Sequence, residues 1–332
     1  MKRRKKTFII LAVILVVVLL VAGYIKFFNG RLIYFTTGMK SGELIKTAGQ
    51  KTTYTCEADI LMSDVKKEYE EMFGSNIWRE KIGDADFESY IKDQIKSKLM
   101  RVKAMNVKAK ERGVVLGREE KDSVGKAVDA FYNELTESQI SSTGITKDKL
   151  NTMFTEFAIA QKLYDDLTSS MDIEVSADEA RVIDIQYIVS DSEEDINKAY
   201  NLVNSGSSFF AVAKEYNADG EYEYELKRGE MDAAFEKAAF NLSTGEMSSI
   251  VESAGRYYII RCTSDNDKAK TEVNKSAILE KRKLEQFNTD FEKYEAGIYM
   301  EFNNSEWKKL SIQDAYTLRS SFEDTFNAYF GK

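Results

Sequence analysis

An α+β fold follows from three features of the sequence. Apolar residues recur at helical spacing through residues 65–171 and again through 266–296. Between these flanks, Ile183 to Val189 and Tyr257 to Cys262 alternate as strands around a short helical stretch. Ahead of everything stands an uncharged apolar run, Phe8 to Ile25.

That run is long enough to cross a bilayer, for which ~20 residues are typical. Residues 1–6 are basic and Lys26 ends the run. The basic flank is expected to stay in the cytoplasm and everything after Lys26 to lie outside. A cleavable signal peptide is the competing reading, with Val21-Ala22-Gly23 as a weak cleavage site. Signal peptides carry shorter apolar runs of ~7–15 residues, which favours an uncleaved anchor. No cysteine follows the run, so a lipid anchor lacks its attachment residue. Residues 27–51 read as a tether, in which Leu32 to Phe35 form a short strand or a membrane-proximal segment. Thr52 to Leu61 alternate weakly and enter the first folded domain.

The helices come next. Tyr69, Met72 and Phe73 share a face that Gly74 ends. Asp84 or Asp86 can cap a long helix carrying Phe87, Ile91, Ile95, Leu99, Val102 and Met105, ending near Gly113. A third helix carries Val124, Val128, Phe131 and Leu135. A fourth begins at Thr146 and carries Leu150, Phe154, Phe157, Tyr164 and Leu167. Such stripes are packed core, and Met62, Met72, Met100, Met105 and Met153 add adaptable contacts.

Ser176 and Glu179 have the spacing of a capping box. After the strand at Ile183 to Val189, a helix with Ile196, Ala199, Tyr200 and Val203 stops at Gly206. Residues 228–262 then organise the chain. Gly229 allows a turn, Asp232 can cap a helix, and Met231, Phe235 and Ala238 share its face. Leu242 to Gly245 close that helix. Met247 to Val251 read as a strand, Ser253 to Gly255 as a turn, and Tyr257 to Cys262 as a second strand. A charged helix over residues 266–296 follows. Trp307, Leu310, Ile312, Tyr316, Phe322, Phe326 and Tyr329 then supply aromatic and apolar surface needing a partner.

Composition narrows the function. With 43% hydrophobic and 31% charged residues, the chain is of globular type. A net charge of -8 and a pI near 5.1 leave no chain-wide nucleic-acid footprint. Cys56 and Cys262 read as small buried apolar residues, with a long-range disulfide between them as the alternative. The chain has no histidine, which removes His-based triads, zinc–histidine sites and imidazole acid–base work. No metal and no cofactor is implied. The chain has no proline either.

From Arg228 to Ile260 the sequence resembles, without a gap, the parvulin-type peptidyl-prolyl isomerase domain. That family runs R-G-x-M-x-x-x-F-E-x-A-A-F-x-L-x-x-G-E-x-S-x-x-V, then a turn, then H-I-I. Arg228, Gly229, Met231, Phe235, Glu236, Ala238, Ala239, Phe240, Leu242, Gly245, Glu246, Ser248, Val251, Ile259 and Ile260 carry the match. Residues 208–217 resemble another helix of the family. The helical flanks look like the chaperone region of foldases of the PrsA/SurA type.

The resemblance implies a parvulin-like domain, a four-stranded antiparallel sheet with helices, inserted into a membrane-anchored helical chaperone domain. The expected boundaries are 1–26 anchor, 27–51 tether, 52–171 helical domain, 172–265 parvulin-like domain, and 266–332 completing the helical domain. By resemblance Met231 and Phe235 line the proline pocket; as plain core residues of their helix they would read the same way. The family's two histidines fall on Gln186 and Tyr258. Its glycine-rich loop becomes the acidic residues 218–226, with Asp219 nearest the usual catalytic Cys or Asp. Gln186, Asp219 and Tyr258 are therefore the candidate catalytic set.

The implied partners are unfolded or partly folded secreted polypeptides and, through the N-terminal helix, the membrane. No nucleic acid is implied, and a homodimer is left open. Three readings compete: a foldase that holds clients with a degenerate isomerase domain, an active isomerase of the same architecture, and a non-catalytic structural module of an envelope complex.

Overall fold

The computed structural model describes residues 38–218 and 220–331. The expected anchor, the Leu32 to Phe35 segment and Asp219 lie outside the described residues. Among the described residues no helix is long and apolar enough to cross a membrane. The chain divides into two units: the described residues up to Leu167 with those from Phe291 onward, and Thr168–Asp290.

The first unit is mostly helical. A strand β1 (Glu43–Thr47) and a short β2 (Thr53–Tyr54) precede helix α1 (Thr55–Phe73). Leu44 and Ile45 are fully buried in β1, so the expected tether is ordered here. β1 pairs with β9 (Met300–Phe302), Ile45 opposite Phe302, and with β2. A partner some 250 residues away in sequence leaves no local pattern, so the helical spacing of the flanks gives no sign of this three-stranded sheet. The weak alternation of Thr52 to Leu61 gives way to helix at Thr55, where the Glu57 carboxyl group accepts the Tyr54 N–H at 2.8 Å.

A small hairpin, β3 (Lys81–Ile82) and β4 (Ala85–Asp86), leads into α2 (Phe87–Arg112). Asp86 caps α2 by accepting the Ser89 N–H at 2.8 Å. Ile91, Ile95, Leu99 and Val102 recur every three or four residues on its buried face. Then follow α3 (Arg118–Glu134), α4 (Glu137–Thr143) and α5 (Lys147–Thr168). The C-terminal segment closes this core. Phe322, at the start of the last helix (Phe322–Phe330), has ring centroids 4.6 Å from Phe154 and 4.9 Å from Phe157. Asp64 of α1 caps that helix, accepting the Phe322 N–H at 2.9 Å.

One polar cluster lies within the helical unit. Lys103 Nζ is 2.5 Å from Glu156 and also donates to the Lys51 carbonyl at 2.8 Å. Glu57 lies fully buried near this pair, and burial pushes its carboxyl up to about 8 against the pull of Lys103.

The second unit holds α6 (Ala177–Ala180), β5 (Val182–Ser190), α7 (Glu193–Asn204), α8 (Phe209–Tyr216), β6 (Glu223–Lys227), α9 (Ala233–Phe240), β7 (Val251–Ser253) and β8 (Arg256–Ser264). Helix α10 (Lys268–Glu295) begins in it. The strands form one antiparallel sheet in the order β6-β5-β8-β7. Ile183, Ile185, Leu226 and Ile260 face Phe235, Ala239 and Phe240 of α9. Ile188 and Ile259 face α7 and α8, through Ile196, Ala199, Phe209, Val212 and Ala213. The alternation of β5 between these two cores is the ordinary pleat of a strand covered on both faces.

The hairpin is shifted from its expected place. Met247 makes a single bridge to Arg261, and β7 begins only at Val251. Ser248 explains the shift. Its hydroxyl accepts the Ile260 N–H at 2.9 Å while its own N–H donates to the Ile260 carbonyl at 2.8 Å, so a side chain replaces part of the ladder. The turn is two residues, with Ser253 opposite Arg256. Ala254 and Gly255 both have positive φ, 51° and 77°, the requirement of a tight hairpin turn matched to strand twist.

Candidate functional site

The resemblance-bearing stretch is tied down by two glutamates. Glu230 accepts the Lys227 N–H at 2.9 Å, and Glu236 accepts the N–H of Gly229 at 2.6 Å and of Met231 at 3.1 Å. Gly229 has φ 87°, a conformation that a side chain would strain. Asp232 caps α9, its Oδ1 accepting the Ala234 N–H and the Ser253 hydroxyl, both at 3.0 Å. The cap thus joins the start of α9 to the end of β7, and Met231 stands beside that junction.

Met231 is half-buried against the α9-side core, while Phe235 is buried, 1% exposed. The Tyr258 ring meets Phe235 edge-on, centroids 5.0 Å apart at 84°. Phe235 is therefore a core residue and the floor beneath Tyr258, and the partly exposed groups above it are Met231, Tyr258 and Val251. The structure brings Met231, Phe235 and Tyr258 together.

Gln186 is not with them. It sits one residue after Ile185, on the face that Ile188 shares with α7 and α8, and its side-chain amide donates to Glu223 at 3.1 Å. A one-residue step along a strand moves a side chain to the other face. Gln186 and Tyr258 therefore do not form a pair at the centre of the sheet, contrary to what the sequence register implied. The β5 residue on the Tyr258 side is Tyr187.

Asn217, which carries no distinguishing signal in the sequence, positions β5. It is buried, 4% exposed, at the end of α8. Its side chain accepts the Val189 N–H at 2.9 Å and donates to the Tyr187 carbonyl at 3.0 Å. These bonds serve β5 beyond its last ladder pair with β6, Gln186 with Glu223. The signal was an Asn closing a helix, which sequence alone does not separate from an ordinary cap.

The electrostatics around the aromatic face are modest. Burial, then the neighbouring Glu230, raises the Tyr224 phenol. Burial also raises the Cys262 thiol, which stays a neutral apolar side chain. Among the described residues no cluster of His, Cys, Asp or Glu could hold a metal ion. The face offers aromatic rings, a thioether and phenol hydroxyls, which suit binding an apolar group more than moving a proton.

Residues 189–264 match the rotamase family described as the PPIC-type PPIase domain. The match begins within β5, after both Gln186 and Tyr187. The second unit thus carries a domain of the parvulin class, and the resemblance of the chain to PrsA-type foldases holds. The chain is 25% identical over 240 residues to the foldase protein PrsA of Caldanaerobacter subterraneus subsp. tengcongensis, covering 67% of this chain and 73% of that protein. It is 38% identical over 89 residues to foldase protein PrsA of Bacillus subtilis, covering 24% and 30%. Among solved structures, PrsA from Bacillus cereus aligns over 87% of this chain and 99% of its own, with 19% identity and a TM-score of 0.38.

Proposed function

We propose that this protein is a membrane-anchored foldase acting on the extracytoplasmic side, which holds unfolded secreted chains and whose isomerase domain binds proline-bearing segments with weak or no turnover. The single observation that carries this is the Met231–Phe235–Tyr258 constellation in a chain without histidine. The relatives named as foldase protein PrsA support the holding role. The basic flank and apolar run support the anchor.

The physics fits a binder. Isomerisation has a barrier of ~18–20 kcal/mol and needs no covalent step, only tighter binding of the twisted amide than of the planar one. An apolar slot holds the ring; polar groups aimed at the amide supply the preference for the twisted state. Here Met231 and Tyr258 would offer the ring an apolar face above Phe235, and the imidazoles are gone. The helical unit, with its Met-containing core and C-terminal closure, is the holding domain in this reading.

Suppression of aggregation of an unfolded secreted protein tests the reading. The foldase reading expects suppression by the protein without residues 1–26. No suppression would favour a structural module of the envelope. Protease added to intact cells should digest the protein from outside, and full protection would refute the topology.

A further inference from the structure

We infer that Tyr187, and not Gln186, is the β5 side chain presented to the peptide site, where it helps set which residue next to proline is accepted. The inference rests on the reading of the Met231–Tyr258 face as a peptide-binding surface.

Two independent registers place Tyr187 there. Along β5, Ile183 and Ile185 belong to the α9-side core, so the next residue with the same parity, Tyr187, points to the same side. Across the sheet, Tyr187 lies directly opposite Ile260, itself in that core. Directly opposed residues share a face.

Tyr258 lies opposite Val189. Tyr187 and Tyr258 are thus diagonal neighbours on adjacent strands, a spacing of roughly 7–8 Å that aromatic side chains bridge. Tyr187 is half-buried.

The backbone at this point is fixed on both sides. The Tyr187 N–H donates to the Tyr222 carbonyl at 2.8 Å, and its carbonyl accepts from Asn217 at 3.0 Å. A slip of one residue would break both bonds and bury Gln186 against Phe235, so the ring is held toward the site. A Tyr offers a rigid apolar face and one hydroxyl that can donate or accept. Beside Met231 and Tyr258 it would contact the residue flanking the bound ring and favour an aromatic or aliphatic one.

The test compares affinity for tetrapeptides of the form Ala-X-Pro-Ala, with X = Phe, Leu, Lys or Glu, on the protein without residues 1–26. Affinity is read from peptide NMR shifts, and melting is measured for each variant. Tyr187→Ala should weaken the X = Phe peptide tenfold or more and flatten the preference across X. Gln186→Ala should change affinity less than twofold. Should Tyr187→Ala fail to fold, Tyr187→Leu and magnetisation transfer from the Tyr187 ring to the peptide replace it, and absent transfer would overturn the inference. Binding lost in Met231→Ala but kept with its X preference in Tyr187→Ala would also overturn it, leaving the peptide-site reading intact. Binding indifferent to both Met231 and Tyr187 would overturn that reading and the inference with it.

Discussion

Tyr258 stands edge-on to Phe235, ring centroids 5.0 Å apart at 84°, with Phe235 almost wholly buried beneath it. This geometry divides the two ring-binding candidates into different kinds of residue. Phe235 holds the face up; Met231 and Tyr258 are partly exposed side chains packed against it.

The division predicts different outcomes for truncation. Phe235→Ala removes a buried ring and should cost about 3–5 kcal/mol, enough to melt a marginal domain. Met231→Ala removes a half-buried side chain and should cost less than the ~2–5 kcal/mol of a fully buried methionine. Its fold should persist while affinity for a proline peptide falls. Circular dichroism and melting, taken beside peptide titration, separate the two effects.

Asn217 predicts a stability loss without a binding contact. Asn217→Ala strips partners from the buried Val189 N–H and the Tyr187 carbonyl. Each unpaired buried group costs about 1–3 kcal/mol. Asn217→Asp keeps the acceptor for Val189 but sets a buried carboxylate oxygen against the Tyr187 and Glu221 carbonyls, a charge burial that costs more than a lost bond, so it should be no more stable than the alanine variant in urea unfolding at pH 7.

Much of the second unit was legible in advance. Its strands alternate, Ser176 and Asp232 cap helices as their spacing suggests, and the Arg228-to-Ile260 pattern is long. The face of Gln186 was not legible. Apolar residues lie on both sides of β5, so alternation alone does not say which parity meets α9. The β1–β9 pairing was hidden for another reason, since its two short strands come from opposite ends of the chain. Ser248 hid the true start of β7 by bonding like a strand from a non-strand position.

Glu57 predicts a pH dependence of the helical unit. Its folded carboxyl is raised to about 8 by burial, with Lys103 and Lys149 pulling it down and Glu156 pushing it up. An acid raised on folding binds its proton more tightly in the native state. Stability is therefore greatest below the unfolded value of ~4.3 and is lost as pH rises towards about 8, by up to ~1.4 kcal/mol per pH unit for one proton. Glu156, raised in the same direction by burial, adds to the trend. Glu57→Gln keeps an acceptor for the Tyr54 N–H and should flatten this slope in melts from pH 5 to 8. An unchanged slope would mean that Glu57 ionises freely in the fold.

The contacts of Phe322 predict how the chain responds to proteases. Its ring packs on Phe154 and Phe157, and its N–H is capped by Asp64. Limited proteolysis should free residues 168–290 as an intact fragment while the C-terminal segment stays bound to the N-terminal helices. Loss of that segment as a free tail would contradict a helical domain completed from both ends. Phe322→Ala, costing about 3–5 kcal/mol, should promote that loss.

In the proposed function a histidine-free parvulin domain binds proline-bearing chains and hardly turns them over. Two-dimensional exchange NMR on an Ala-Phe-Pro-Ala peptide, with the protein without residues 1–26, measures both properties in one sample. Shifted peptide resonances are expected, with cis–trans exchange remaining near its uncatalysed time of tens to hundreds of seconds. Exchange accelerated a hundredfold, or resonances unmoved at saturating protein, would contradict it.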